Sequence, residues 1–296
     1  MRHALALAIA CTACLGASSQ ASAVRFDANR AFADLKHMVD IGPRPSGSPA
    51  IEQTQAYIRA QLTAAGLKPE DQAFDVDTPV GRLHMVNIRA TLPGQTSGSG
   101  RIVIGGHYDT KRFTAFRFVG ANDGASSAAF LLELARALKG RANPLPIELL
   151  FLDGEEATLP DWGTTDHTYG SRYYVQQARQ AGRLADIRAF ILVDMIADRK
   201  LDISREEKST PWLTDAIWSA ARRLNRPEFL EQSTPIEDDH DEFLDAGVES
   251  VDIIDLDYPN AWHEETDDLQ HVSARSLQAV GDVLLAALPA IETRLK

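Results

Sequence analysis

Residues 101–109 read Arg101-Ile102-Val103-Ile104-Gly105-Gly106-His107-Tyr108-Asp109, a short apolar run that ends abruptly in a histidine and an acid. The same design recurs three times downstream. Ile147 to Leu152 runs into Asp153-Gly154-Glu155-Glu156, Ala189 to Val193 into Asp194, and Val251 to Leu256 into a short loop that reaches Trp262-His263. Apolar runs of this length bounded by polar clusters read as buried strands. Apolar residues at three- and four-residue spacing predict helices over 126–138, 169–181, 212–224 and 273–288. Strands alternating with helices imply an α/β fold, a three-layer sandwich with a central, mostly parallel mixed sheet flanked by helices.

Upstream, helices are expected over 27–38 and 51–65, separated by the Gly- and Pro-rich turn Ile41 to Ser48. Alternating segments at 73–76 and 84–91 predict two further strands, and 95–100 is a polar surface loop. No internal repeat and no second core is visible, so residues 24–296 are expected to form one catalytic domain.

The chain opens with Arg2, an apolar stretch from Ala4 towards Leu15, and the small residues Ala21-Ser22-Ala23. This pattern predicts a secretory signal peptide over residues 1–23, hence an exported protein, periplasmic or extracellular. The stretch is shorter than the ~20 apolar residues that span a bilayer, and no membrane span is expected in the mature chain. Both cysteines, Cys11 and Cys14, fall inside the leader. A mature chain without thiols forms no disulfide, and any metal site in it must be built from His, Asp and Glu, which suits a catalytic zinc. A formal net charge of -12 disfavours a nucleic-acid partner.

In open α/β sheets, binding sites form beyond the carboxyl ends of the strands. Four strand ends therefore bring acids and histidines together from distant parts of the chain. Each has an ordinary alternative on its own. Asp123 precedes a helix and reads equally as its cap, Glu155-Glu156 as a solvated turn, and His107-Tyr108-Asp109 as a hydrogen-bonded core histidine. Their convergence in a thiol-free chain favours a metal site. The adjacent pair Glu155-Glu156 points two ways, so that one carboxylate can bind metal while the other faces substrate and, if burial raises its pKa, shuttles protons.

These motifs resemble the zinc aminopeptidase superfamily and, within it, the glutaminyl-peptide cyclotransferases. The superfamily elements are Gly106-His107-Tyr108-Asp109, Gly120-Ala121-Asn122-Asp123, Asp153 to Glu156, Val193-Asp194 and His263. The cyclase-like elements are Lys111 with Phe118 to Ala121, Trp162 with Asp166 and Tyr169 to Arg172, and Glu237 to His240 with Trp262 beside His263. The resemblance implies one zinc per chain held by Asp123, Glu156 and His263. It makes Glu155 the proton shuttle, with Asp194 and Asp238 in a hydrogen-bonded acid network beside it. Trp162, Tyr258 and Trp262 would wall the pocket for the glutamine side chain. The implied reaction converts N-terminal glutamine of peptides or proteins to pyroglutamate with release of ammonia, and relatives suggest a monomer.

Two other readings use the same residues. In a two-zinc aminopeptidase, His107 and Asp194 hold a second metal, Asp123 bridges both, and Glu155 activates a water. A noncatalytic peptide-binding domain would keep the fold without the chemistry. Trp212 and Trp218, on a helical segment, read as ordinary core.

Overall fold

The structure, a computed structural model, describes residues 24–96, 98 and 100–296; the leader expected over 1–23 lies outside the described residues. The strands β1 (Glu70–Thr78), β2 (Gly81–Leu92), β3 (Arg101–His107), β4 (Ile147–Leu152), β5 (Ile187–Asp194) and β8 (Ser250–Ile254) form one sheet in the order β1-β2-β4-β3-β5-β8. β4, β3, β5 and β8 run parallel, whereas β2 pairs antiparallel with both β1 and β4. The sheet is therefore mixed and mostly parallel on the side that carries the chemistry. Register aligns His107 of β3 with Leu152 of β4, and Asp194 of β5 with Ile254 of β8, so all four polar clusters emerge at one edge.

Both sheet faces are covered, and strand periodicity sorts the side chains between them. Ile102, Ile104, Leu149, Phe151, Ile191 and Val193 enter the larger core, built with α1 (Ala28–Ile41), α2 (Pro49–Ala64), α3 (Ala125–Ala137), α5 (Pro211–Arg223) and α7 (Ala274–Leu295). Their neighbours Val103, Leu150, Leu152, Phe190 and Leu192 enter a second core under α4 (Tyr169–Gln180) and α6 (Asp239–Asp245). Successive residues pointing to opposite faces, with apolar partners on each, produce the three layers. The Glu133 carboxylate on α3, fully buried, accepts from Arg30 and from the Asp27 N–H, which ties α1 to it.

Several elements differ from the sequence expectations. β6 (Ile203–Glu206) and β7 (Phe229–Thr234) form a separate two-stranded parallel pair, and α6 is a seven-residue helix over a heavily charged stretch. These segments lack apolar periodicity because each sends a single buried apolar side chain into a core, Ile203 from β6, Phe229 from β7 and Phe243 from α6. Helix α7 continues through Pro289 to Leu295, although proline lacks the N–H that would continue the ladder. Among the described residues α7 is long and apolar enough to cross a membrane, but more than half of it is buried against the core. Trp218 is fully buried with its indole N–H donated to Leu230 O, as ordinary core, while Trp212 is only partly buried and donates to Glu249.

Candidate active site

Five chain segments meet at the carboxyl edge of the sheet. Asp123 ends the loop before α3 and does not cap that helix, contrary to the ordinary alternative offered by sequence. Gly124 is the cap residue, with φ +90, and no side chain bonds the helix start. A Cβ at Gly124 would come within 2.4 Å of Asp109 O and 3.1 Å of His107 Cε1, so only glycine fits between the two loops. Asp267, which sequence reasoning missed, accepts the backbone N–H groups of Asn122 (2.8 Å) and Asp123 (3.1 Å) and the Tyr258 hydroxyl (3.0 Å). That grip aims the Asp123 carboxylate into the site.

Asp109 does the same for the acid pair. Its two oxygens accept the N–H groups of Glu155 and Glu156, each at 3.3 Å, and the two side chains then diverge. Glu156 Oε1 lies 3.3 Å from His263 Nε2 and Glu156 Oε2 lies 3.5 Å from Lys111 Nζ, whereas Glu155 Oε2 lies 3.7 Å from His107 Nδ1. Arg44, another residue missed by sequence, is fully buried and donates to the carbonyls of Tyr108, Val119 and Gly120. It thereby pins both ends of the loop that presents Asp109 and Asp123. The only sequence signal for it was a charge inside a proline-rich turn. His263 itself adopts φ +55, a conformation uncommon outside glycine that concentrates at functional sites. Its ring stacks on Trp262 and meets Phe113 and Phe118 edge-on.

Two groups of donors are close enough to hold a metal. Atoms of Asp123, Glu156 and His263 lie within 4.8 Å of one another, and so do atoms of His107, Asp123 and Asp194. The first set suits a cation. Asp123 Oδ2 and both Glu156 carboxylate oxygens are buried without a hydrogen bond and have only the longer-range charges of His263 and Lys111 facing them, so they retain free lone pairs for a metal. One nitrogen and two carboxylates with an open side match catalytic zinc. In the second set Asp194 Oδ1 already accepts from Ser127 Oγ (3.1 Å) and from its neighbour Met195 N–H (2.8 Å), and it lies 3.1 Å from His107 Nε2.

The electrostatics divide the acids by role. Burial opposes charge on His263, but the facing carboxylates of Asp123 (3.4 Å) and Glu156 (3.3 Å) outweigh it and raise its pKa to about 10. Burial likewise opposes charge on His107, and Asp194 and Glu155 more than compensate. Glu155 is pushed well above the usual carboxylate range, first by burial and then by Glu156, Asp238 and Asp239 against a lowering by His107. Asp238 is raised too, by burial and by Asp194. Asp238 caps α6 by accepting the Asp239 N–H at 2.6 Å, while its other oxygen is buried and unpartnered.

A cavity of about 380 Å³ opens onto these groups. Glu155, Asp194, Asp238, Trp162 and Trp262 all line it, together with the three donors of the first set. Trp262 is 48 % exposed at its mouth. Tyr258 stands behind the wall and not on it: it is 3 % exposed, and its hydroxyl is engaged with Asp267.

The model of peptidase family M28 matches residues 87–288, which include every donor of both sets. The chain belongs to peptidase family M28. Among curated relatives, the bovine (Bos taurus) glutaminyl-peptide cyclotransferase-like protein is 33% identical over 278 residues, covering 83% of this chain and 71% of its own. Among solved structures, an Acidobacteriales bacterium glutaminyl cyclase superposes with a TM-score of 0.87 at 37% identity, covering 94% of this chain and 99% of that one. The Porphyromonas gingivalis glutaminyl cyclase superposes at 0.81 with 27% identity, over 90% of this chain and 98% of that one. For an M28 member the donor chemistry indicates zinc, and the chain is an enzyme.

Proposed function

We infer that the protein is a zinc-dependent glutaminyl-peptide cyclotransferase, converting N-terminal glutamine of peptides or proteins to pyroglutamate and ammonia. The observation that carries this reading is Glu155. Its carboxyl is buried with a raised pKa, and it lines a cavity walled by Trp162 and Trp262 beside the Asp123, Glu156 and His263 donors. One zinc per chain fits best, because the oxygens without hydrogen bonds belong to that set whereas Asp194 is already engaged. When bound, the metal supplies Lewis acidity at the γ-carbonyl of the substrate.

The chain's own residues perform the remaining tasks. The two tryptophans favour a curled substrate in which the α-amine approaches its own γ-amide carbon, and they exclude water. Glu155 takes a proton from the attacking amine as the new C–N bond forms and returns it to the amide nitrogen as that C–N bond breaks and ammonia leaves. A carboxyl held above its usual range suits both halves of that transfer near neutral pH. Asp194 and Asp238 line the same cavity; Asp238 helps hold the Glu155 carboxyl above its usual range, as Asp194 does for Asp238.

The deciding experiment supplies a Gln-initiated peptide to zinc-loaded protein and follows product mass, with a chelated control. Loss of ammonia without chain shortening is the expected result. Release of free glutamine would instead identify an aminopeptidase. We also propose that residues 24–296 act as one exported, monomeric catalytic unit. The leader pattern of residues 1–23 supports export, and N-terminal sequencing of protein recovered from the periplasm or medium should begin at Val24.

A further inference from the structure

A second cavity, of about 480 Å³, adjoins the catalytic pocket, and Glu237 and Asp238 line both. The partition is an aromatic stack. Trp162 lines the catalytic side and His167 the other, with ring centroids 4.3 Å apart and 19° between planes.

His167 is 4 % exposed, and its surroundings fix its tautomer. Thr168 Oγ1 donates to Glu242 Oε1 at 3.1 Å, so towards His167 Nδ1, also at 3.1 Å, it is an acceptor. The ring proton therefore sits on Nδ1, and Nε2 is left as an acceptor. Burial lowers the pKa of this ring and keeps it neutral. Nε2 is buried without a hydrogen-bond partner, and across from it, at 3.8 Å, stands Glu237 Oε1. Two acceptors therefore face each other with no donor to relieve them, and Glu237, 58 % exposed, carries the pair's charge out into the cavity.

The charge balance of the cavity says what kind of donor. Its cations are already engaged, Arg172 with Glu242 at 3.2 Å and Lys208 with Asp241 at 2.6 Å. Glu237 and Asp245 in this cavity, and Asp161 on the catalytic side, have no Lys or Arg partner among the described residues. The uncommitted charge is negative.

We propose that this second cavity is the subsite for the residues that follow the N-terminal glutamine, and that it selects a basic side chain that pairs with Glu237, whose unrelieved neighbour is His167 Nε2. The proposal rests on the cyclase reading of the adjoining pocket. Lysine or arginine close behind the glutamine would then lower KM more than it raises kcat, because the contact is made equally in ground and transition states.

The test compares Gln-X-Ala and Gln-Ala-X amides with X as Lys, Arg, Leu or Glu, using zinc-loaded protein. The expected result is a kcat/KM for Lys or Arg about three- to tenfold above Leu at one of the two positions, carried by KM and shrinking at high salt. Glu237→Gln removes the charge and keeps the shape; His167→Phe keeps a ring on Trp162 and removes the acceptor. Each should bring the Lys-to-Leu ratio towards one. Equal turnover of all X by the unaltered protein overturns the subsite while leaving the cyclase intact, as does a Lys preference that both variants retain. Absence of turnover with every peptide overturns the cyclase reading and the subsite with it.

Discussion

Glu155 and Glu156 are chemically identical neighbours with opposite tasks, and what separates them is the grip of Asp109 on both backbone N–H groups. The division can be tested one residue at a time. Glu155→Gln keeps size and removes the proton shuttle, so kcat should fall by about 10²- to 10⁴-fold while zinc content by metal analysis stays unchanged. Full activity in that variant would remove Glu155 from the mechanism. Glu156→Gln should do the reverse first, losing zinc before any question of rate arises, because it takes away a carboxylate from the donor set. The identity of these residues was legible in the sequence because each strand run ends in a metal-compatible residue. Their supports were not. Asp267 follows Glu264-Glu265 in a stretch that reads as a solvated acidic turn, and its three accepted hydrogen bonds reach back to residues 122, 123 and 258.

At the scale of elements, the parallel strands were readable because buried β-strands leave uninterrupted apolar runs, and α6, β6 and β7 were not because they leave none. The charged stretch Asp238 to Asp245 becomes α6 only where Asp238 caps it and Phe243 stacks on Phe190 of β5 at 3.7 Å between ring centroids. Arg44 shows the same dependence on tertiary context. In sequence it sits in a turn between α1 and α2; in the fold it satisfies three carbonyls of the loop running from β3 to α3. Arg44→Met takes the side-chain donor from the buried carbonyls of Tyr108 and Val119, while Gly120 O keeps the Ala125 N–H, which costs about 3 kcal/mol by the usual penalty for such groups. The midpoint of urea unfolding should drop accordingly. Zinc affinity should weaken as well, since the same loop carries Asp123; an unchanged zinc dissociation constant would show that the loop holds its shape without the guanidinium.

For the whole molecule, the many buried acids make stability a function of pH, and the metal reverses part of that dependence. Burial raises the pKa of Asp153 and of Asp255 to about 7, with Asp109 adding to the first and Asp198 and Asp202 to the second. From roughly pH 4, where unfolded carboxyls ionise, up to about 7, the native state holds protons that the unfolded chain has released. Stability contributed by these two groups is complete below that window and is lost as pH rises through it. Glu206 runs the other way. Burial would raise it, but the His240 ring 3.1 Å away and hydrogen bonds from Lys208 N–H and Ser209 hold it down to about 2, so its contribution is present above roughly pH 4.5 and disappears on acidification through about 2. Chelated protein should therefore be most stable near pH 5 and less stable at pH 8 than at pH 5.5 by about 2–4 kcal/mol in urea unfolding. Zinc alters the slope because its ligands must shed protons to bind it. In the metal-free site His263 holds its proton to about pH 10, so the gain on adding zinc grows as pH rises towards that value. At free zinc 100 times its dissociation constant the gain is about 2.7 kcal/mol. The zinc-loaded curve should thus fall less steeply between pH 5.5 and 8 than the chelated one. Parallel curves would mean that binding displaces no proton, and that His263 is not a ligand.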